Sequence, residues 1–454
     1  MKIKNLLALT IVFTMFTSCK DKIDDVGMKE MAKEAYIYAF PAVEHNKVIW
    51  STVVENNLPF NYFFGNTELF THENTAVVTP NNDTYYSYAI CDIRNEPVVV
   101  SIPLIENRYF SFQICDIFTN CPDYISTLAT GEGPGSYMIA RSDWEGTAPA
   151  GVDKTIRVPA TVVFILARTQ VFGPEDKQAG VIAKSYKAAP LSKFAGTTPP
   201  SGDALKWTQP FFDAKTGNNE SFFSVFNYMV QYQILNSTDE ALMKKFEAIG
   251  LGAGKDFKKS QFKSKEWEAI EAGANEGKSI IQSRLNSIGN DVNNWNFSPK
   301  ISGRWGTDYL TRAAAAWKYI YVNIPEEAVY ATINADGGGQ TLNGANKYTL
   351  TFTKEQIPKV RFFWSLTMYN AKGFLVNNPA NRYNIKNIDE LIFEEDGSLK
   401  LFIQKESPGA PYESNWLPAE EGQFYMVLRM YGPSSEAVEG TYVIPAVVKA
   451  NKAI

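Results

Sequence analysis

Histidine is almost missing from this chain: of 454 residues only His45 and His72 carry an imidazole. That scarcity argues against a multi-histidine zinc, copper or iron centre and against multi-histidine catalysis, so no metal and no cofactor is expected. Cysteine is nearly as rare, with four residues, too few for a disulfide scaffold or a zinc ribbon. No Gly-x-Ser-x-Gly elbow occurs, which disfavours an ordinary α/β-hydrolase. The run Gly250-x-Gly252-x-Gly254-Lys255 lacks the spacing of a phosphate loop and follows a helical stretch. Basic residues form no long block, and 44 basic against 49 acidic side chains give a net charge of −5. Nothing here steers the chain to nucleic acid. Past the N-terminus no apolar run approaches the ~20 residues of a bilayer-spanning helix.

What is present is a large, aromatic-rich chain. Its length suits two or three domains at about 150 residues each. Hydrophobic residues make up 45% and aromatics 13%, including 23 tyrosines, a composition that buries cores and does not stay disordered. The N-terminus carries Lys2 and Lys4, then the apolar run Leu6 to Phe16, which is the pattern of a signal peptide. Thr17-Ser18-Cys19 closes it without an Ala-x-Ala site and resembles a bacterial lipoprotein signal. The resemblance implies removal of residues 1–18, lipidation of Cys19, and a charged tether over 19–27. The Lys20-Asp21 start resembles surface-export signals of some gut-type bacterial lipoproteins. The expected location is the bacterial cell envelope, at the periplasmic face or the cell surface, with the lipid anchor as the only membrane contact.

Patterning predicts an α+β fold. Met28 to Asn57 reads as a helix that Pro41 should kink or break. Residues 28–174 form an N-terminal domain with a mixed sheet and a helical segment. In it Val98 to Ile102 is one strand. Tyr109 to Ile117 alternates, with Phe110, Phe112 and Ile114 on one side and Ser111, Gln113 and Cys115 on the other. Thr161 to Leu166 reads as a buried strand. Residues 175–324 read as a mainly helical connecting region, with helices over 221–235, 239–249, 265–288 and 307–322. From 325 to 454 short strands between Gly and Pro turns predict an antiparallel β-sandwich, jelly-roll-like.

Several motifs resemble a known pair of families. Thr79-Pro80-Asn81-Asn82-Asp83-Thr84-Tyr85-Tyr86-Ser87, then Glu96 to Pro103 and Asn107-Arg108-Tyr109, resemble the bacterial domain of unknown function 1254. Gly306-Thr307-Asp308-Tyr309 with Arg312-Ala313-Ala314 resembles the lead-in to the domain of unknown function 1214. Leu342 to Tyr348, Phe363 to Tyr369, Asn377 to Tyr383 and Asn415-Trp416-Leu417-Pro418 follow in that family's order. The resemblance implies an exported bacterial protein with a sandwich-like C-terminal half, and it implies no particular activity.

Few residues are placed to do chemistry. Asn81-Asn82-Asp83-Thr84 is the densest polar cluster, suited either to a backbone-bonding turn or to a ligand. Arg108 offers a planar fork for a carboxylate or phosphate, or an ion pair with Asp83 or Asp116. Asn82, Asp83, Thr84, Tyr85, Arg108 and Tyr109 are the expected ligand-binding set, on one sheet rim with Asp116. Asp83, Asp116 and Arg108 are the candidates for catalysis. Arg304, Asp308 and Arg312 are a second cluster, read mainly as an ion network. Trp364, Tyr369, Tyr383 and Trp416 are an aromatic platform or sandwich core. Cys115 and Cys121 are near enough in sequence to pair, or they are buried thiols. The expected function is an envelope lipoprotein holding a glycan or small organic ligand in a cleft between domains. The alternative is a carboxylate-dependent hydrolase or lyase acting on an exported or extracellular substrate. Oligomerisation is compatible with either.

Overall fold

The computed structural model describes residues 23–65, 67–75, 78–285, 287–297 and 302–450. The expected signal peptide, the expected lipidation site Cys19 and the start of the expected tether lie outside the described residues. The chain enters α1 (Asp25–Ile49) behind Asp24, whose carboxylate accepts the Gly27 amide at 2.8 Å. Residues 25–27, read as tether, are therefore helical. Pro41 does not end this helix, which continues through it into a π-turn over Trp50–Val54. The reason is packing. Much of α1 is buried among the helices that follow, and glycines let one of them, the helix Ser264–Leu285, come close. A Cβ at Gly273 would stand 2.1 Å from the Lys29 carbonyl.

Among its described residues the first module holds nine strands: β1 (Phe64–Gly65), β2 (Thr84–Asp92), β3 (Val98–Ile102), β4 (Phe110–Cys115), β5 (Asp123–Ser126), β6 (Gly135–Arg141), β7 (Lys154–Val158), β8 (Val162–Gln170) and β9 (Lys187–Pro190). They form a five-stranded sheet ordered β1-β2-β8-β4-β5 and a four-stranded sheet ordered β7-β6-β3-β9, in which β6 and β7 run parallel. Helices α2 (Lys177–Ser185), α3 (Leu191–Ala195), α4 (Asn219–Val230), α5 (Ser237–Phe246), α6 (Ser264–Leu285) and α7 (Tyr309–Lys318) follow. α4, α6 and α7 pack on α1. One continuous hydrophobic core joins these helices to the strands, from Met28 to Tyr321. The helical stretch is thus part of the first module rather than a connector beside it.

The second module is a sandwich. Its outer sheet is β10 (Asn290–Val292), β11 (Trp295–Phe297), β12 (Ala328–Ile333), β18 (Phe424–Pro433), β14 (Val360–Asn370) and β15 (Asn384–Lys386), side by side in that order. Its other sheet is β17 (Trp416–Pro418), β16 (Leu399–Gln404), β13 (Tyr348–Phe352) and β19 (Val447–Lys449). All pairs are antiparallel except β16 with β17. Two of the strands, β10 and β11, precede residue 325, so the sandwich starts earlier than the turn at Pro325 suggests. Trp364, Leu366, Leu428, Met430, Leu350 and Leu401 fill the space between the sheets. The outer face of the six-stranded sheet lies against the first module, and that contact carries the polar chemistry.

Candidate functional site

The Thr79–Thr84 segment is a strap from the first module onto the second. The Thr79 amide donates to the Gly373 carbonyl at 2.7 Å, and its hydroxyl meets the Tyr425 hydroxyl at 2.5 Å. Pro80 accepts from the Tyr369 hydroxyl at 2.6 Å. Asn81 donates to Tyr431 at 3.1 Å and to Thr84 at 2.9 Å. Asn82 is held by the Phe70 carbonyl. Asp83 accepts Ser365 at 2.6 Å and Asn384 at 2.8 Å, with none of its surface exposed. Burial pushes its carboxyl upward, against the pull of Arg429 and the Ser365 hydroxyl. Thr79, Pro80, Asn81 and Asp83 thus bond across to the second module, while the Asn82 side chain is tied to Phe70 within the first.

Strand direction decides the rest of the expected rim. β2 and β4 are both antiparallel to β8, so they run the same way. Asp83 and Arg108 therefore enter at one end of the sheet, while Asp116 leaves at the other, about 20 Å or more away at ~3.3 Å per residue. Arg108 bonds neither acid. It clamps Asp176 through both terminal nitrogens at 2.5 and 3.0 Å, donates to the Gln170 carbonyl, and lies over the Phe172 ring at 4.4 Å. Asp116 folds back on its own turn, accepting from Phe118 and Asn120 at 2.9 Å and from Gln233 at 3.1 Å. Burial raises its carboxyl too, against these Asn120 bonds. Tyr85 points to the sheet face opposite Tyr86, and Tyr109 packs against Phe362, Phe363 and Tyr431.

The second cluster also dissolves into structural roles. Asp308 caps α7 by accepting the Thr311 amide at 3.0 Å. Arg312 is buried under the rings of Phe118, Tyr309 and Tyr38, at 4.7 to 5.2 Å, and donates to the Tyr38 carbonyl. Arg304 makes a surface contact with Glu326 at 3.6 Å. Trp364 is sandwich core, and the Trp416 indole donates to the Gln404 carbonyl at 2.8 Å. Tyr369 and Tyr383 sit on the outer face, the latter bonded to His72 at 2.9 Å.

Between the modules lies a group that pattern reading overlooks. Register aligns Tyr86, Arg168, Ser111 and Ser126 as one row across the five-stranded sheet. Tyr330, Arg429, Ser365 and Lys386 form a row on the outer face of the sandwich. Arg168 is 5% exposed, and one nitrogen, Nη1, donates to Gln113 Oε1 at 3.0 Å and Asn323 Oδ1 at 3.2 Å. Both amides are themselves held: Gln113 donates to the Val322 carbonyl, and Asn323 accepts from Tyr124 and donates to Tyr330. The guanidinium lies 5.7 Å from the Tyr86 ring. Its Nε and Nη2 bond no described residue, and no carboxylate among the described residues lies within 4 Å. Tyr86 and Tyr330, which stand on facing sheets, are each partly exposed. Nearby, the Tyr109 hydroxyl, Ser111 Oγ and Glu327 Oε1 are buried as a group, Tyr109 lying between Glu327 and Ser111. The other Glu327 oxygen accepts Ser126 at 3.0 Å, and burial holds this carboxyl above its ordinary range. No group of three or more His, Cys, Asp or Glu placed to hold a metal occurs among the described residues.

The sequence signal for Arg168 is one charged residue within β8, whose nine residues are all buried. A buried arginine without an acid partner is rare, because the charge is costly to desolvate.

Comparison with known proteins agrees with the two-module division. Residues 60–190 match the protein of unknown function DUF1254, and residues 327–435 match the protein of unknown function DUF1214. No curated protein matches the chain. Among solved structures, the VPA0106 protein of Vibrio parahaemolyticus superposes with a TM-score of 0.76 at 24% identity, over 94% of this chain and 100% of that one. An uncharacterised protein of Burkholderia cenocepacia aligns over 94% of this chain and 95% of that one, at 11% identity and a TM-score of 0.46. At 24% identity the likeness to the Vibrio protein speaks to fold alone.

Proposed function

We propose that this chain, a DUF1254 region followed by a DUF1214 region, binds a small organic acid in the gap between its modules, with Arg168 as the anchor. One observation carries the reading: a buried guanidinium whose hydrogen bonds to described residues all go through one nitrogen to neutral amides, near the partly exposed Tyr86 and with no carboxylate of the described residues within 4 Å. Charge-assisted bonds to a ligand carboxylate would complete that set. Tyr86 and Tyr330 offer ring faces and hydroxyls for the ligand's carbon frame, which suits a sugar acid or another hydroxylated carboxylate. Arg108, Asp83 and Asp116 take no part, since their bonds are spent within the protein.

The location we propose is the bacterial envelope, with the chain anchored by a lipid on Cys19. Residues 1–19 support this, and α1 begins six residues after the anchor point, which keeps the folded body near the membrane.

The test is thermal denaturation with a panel of uronic acids, aldonic acids, short dicarboxylates and the matching neutral sugars. Binding to the native state raises the melting temperature. A shift with carboxylates and none with neutral sugars supports the reading. A second reading, acid–base chemistry on such a ligand, is favoured by Glu327, whose raised carboxyl suits a proton donor. Product formation from a binding carboxylate, lost in Glu327→Gln while binding persists, separates it from binding alone.

A further inference from the structure

Three cysteines lie among the described residues, and all are fully buried. Cys91 pairs with Val163 across β2 and β8, while Cys115 pairs with Phe164 across β4 and β8. Neighbouring residues of a strand point to opposite faces, so Cys91 stands across the sheet from Cys115. Cys121 is on the other limb of the turn that follows β4. The Asp116 amide donates to the Asn120 carbonyl at 3.0 Å, and the Thr119 amide donates to the Asp116 carbonyl at 3.1 Å. The Asp116 carboxylate ties the turn internally through Phe118 and Asn120. Thr119 adopts a φ of 64° to complete it.

This closure sets the two flanking residues opposite each other. Residues opposite on antiparallel limbs have Cα atoms about 4.5–5.5 Å apart, inside the roughly 4.4–6.8 Å that a disulfide spans. One extra residue then restores the β4–β5 register, where Ile114 pairs with Asp123. Burial first, and then the neighbouring Cys121, hold the Cys115 thiol well above its ordinary range.

We propose that Cys115 and Cys121 join as a disulfide in the exported protein. The step breaks two S–H bonds and forms one S–S bond. Two electrons and two protons pass to the disulfide of an envelope thiol oxidant, which leaves as a dithiol. The bond forms before the turn is buried, since neither sulfur is reachable afterwards. The export reading supplies only the oxidant; the pairing stands on the turn. Its effect reaches the gap between the modules. Cys121 packs with Tyr124 and Ile324, and Tyr124 holds the Asn323 amide that holds Arg168. The bridge fixes that wall.

Peptide mapping tests this. No Lys or Arg lies between Tyr109 and Arg141, so trypsin leaves both cysteines on one peptide. The full chain is purified from the envelope, and in parallel is refolded from the reduced state in a glutathione buffer. Each sample is unfolded and labelled with N-ethylmaleimide before any reduction. The expected peptide is unlabelled and two hydrogen masses light, Cys91 is labelled, and Cys91→Ala keeps the bridge. Labelling of both Cys115 and Cys121 in the two preparations overturns the proposal, as does a bridge that includes Cys91. A bridge in the refolded chain alone upholds the pairing and counts against the export reading instead.

Discussion

Asp83 of the first module accepts the hydroxyl of Ser365, 282 positions further along the chain, at 2.6 Å. That bond, with the Asn384 amide on the other oxygen, makes the polar cluster at residues 79–84 a joint between modules. Asp83→Ala leaves both partners buried without an acceptor and should lower stability by about 3 kcal/mol. Chemical denaturation reads this. A pH profile adds a sign. Burial raises the Asp83 carboxyl in the folded state, so its contribution is full below the unfolded pKa of about 3.9 and is lost as pH rises through the folded value. Asp83→Asn should flatten that loss. A profile unchanged by the substitution would contradict the assignment.

Arg108 and Asp176 form a second tie. Burial acts to raise the Asp176 carboxyl, but the Arg108 bonds and the Phe172 amide prevail and hold it below its ordinary range. Its stabilising contribution is therefore present above the unfolded pKa near 3.9 and lost as pH falls through the folded value. Arg108→Gln and Asp176→Asn should each cost about 2 kcal/mol, and the double variant less than their sum. Additive losses would mean that the clamp contributes nothing. The ligand-induced melting shift should be unchanged in Arg108→Gln, because Arg108 faces Asp176 and not the gap.

His45 is buried with neither ring nitrogen bonded, between Phe164 and Tyr321, and burial pulls it down to about 3. A histidine kept neutral in the fold gives full stability above its unfolded pKa near 6.5. Stability then falls by up to about 1.4 kcal/mol per pH unit as pH drops from there toward the folded value. His45→Leu should remove that slope and leave stability at pH 8 equal or higher, since no hydrogen bond is lost. A large loss at pH 8 would reveal a partner for the ring.

The anchor is tested by fractionation. Cys19→Ser should abolish lipid labelling and move the protein out of the detergent-extracted membrane fraction, because a single signal-derived lipid is the only proposed attachment. Retention in that fraction would contradict the anchor.

Much of the architecture was legible because period-two alternation is local. Phe110, Phe112 and Ile114 against Ser111, Gln113 and Cys115 announce β4 and its two faces. What covers the polar face is not local: the second module does, so a face that looks solvent-exposed is fully buried. The same limit hides the candidate site. Asp83 and Arg108 do share a sheet end, but their partners Ser365 and Asp176 lie far off in sequence. Asp116 is lost to the rim simply because β4 runs away from it. Pro41 misled for the opposite reason, since packing outweighs one missing amide in a helix as buried as α1. Arg168 sits just past an apolar run that names the strand and distracts from its single charge.

The central claim is that Arg168 awaits an acid. Isothermal titration of the wild-type protein and of Arg168→Gln with the carboxylate that gives the largest thermal shift tests it most directly. Saturable one-site binding by the wild type should weaken at least tenfold in Arg168→Gln, about the 1.4 kcal/mol or more expected for a charged hydrogen bond. Equal affinity in the two proteins, with Arg168→Gln still folded, would contradict it.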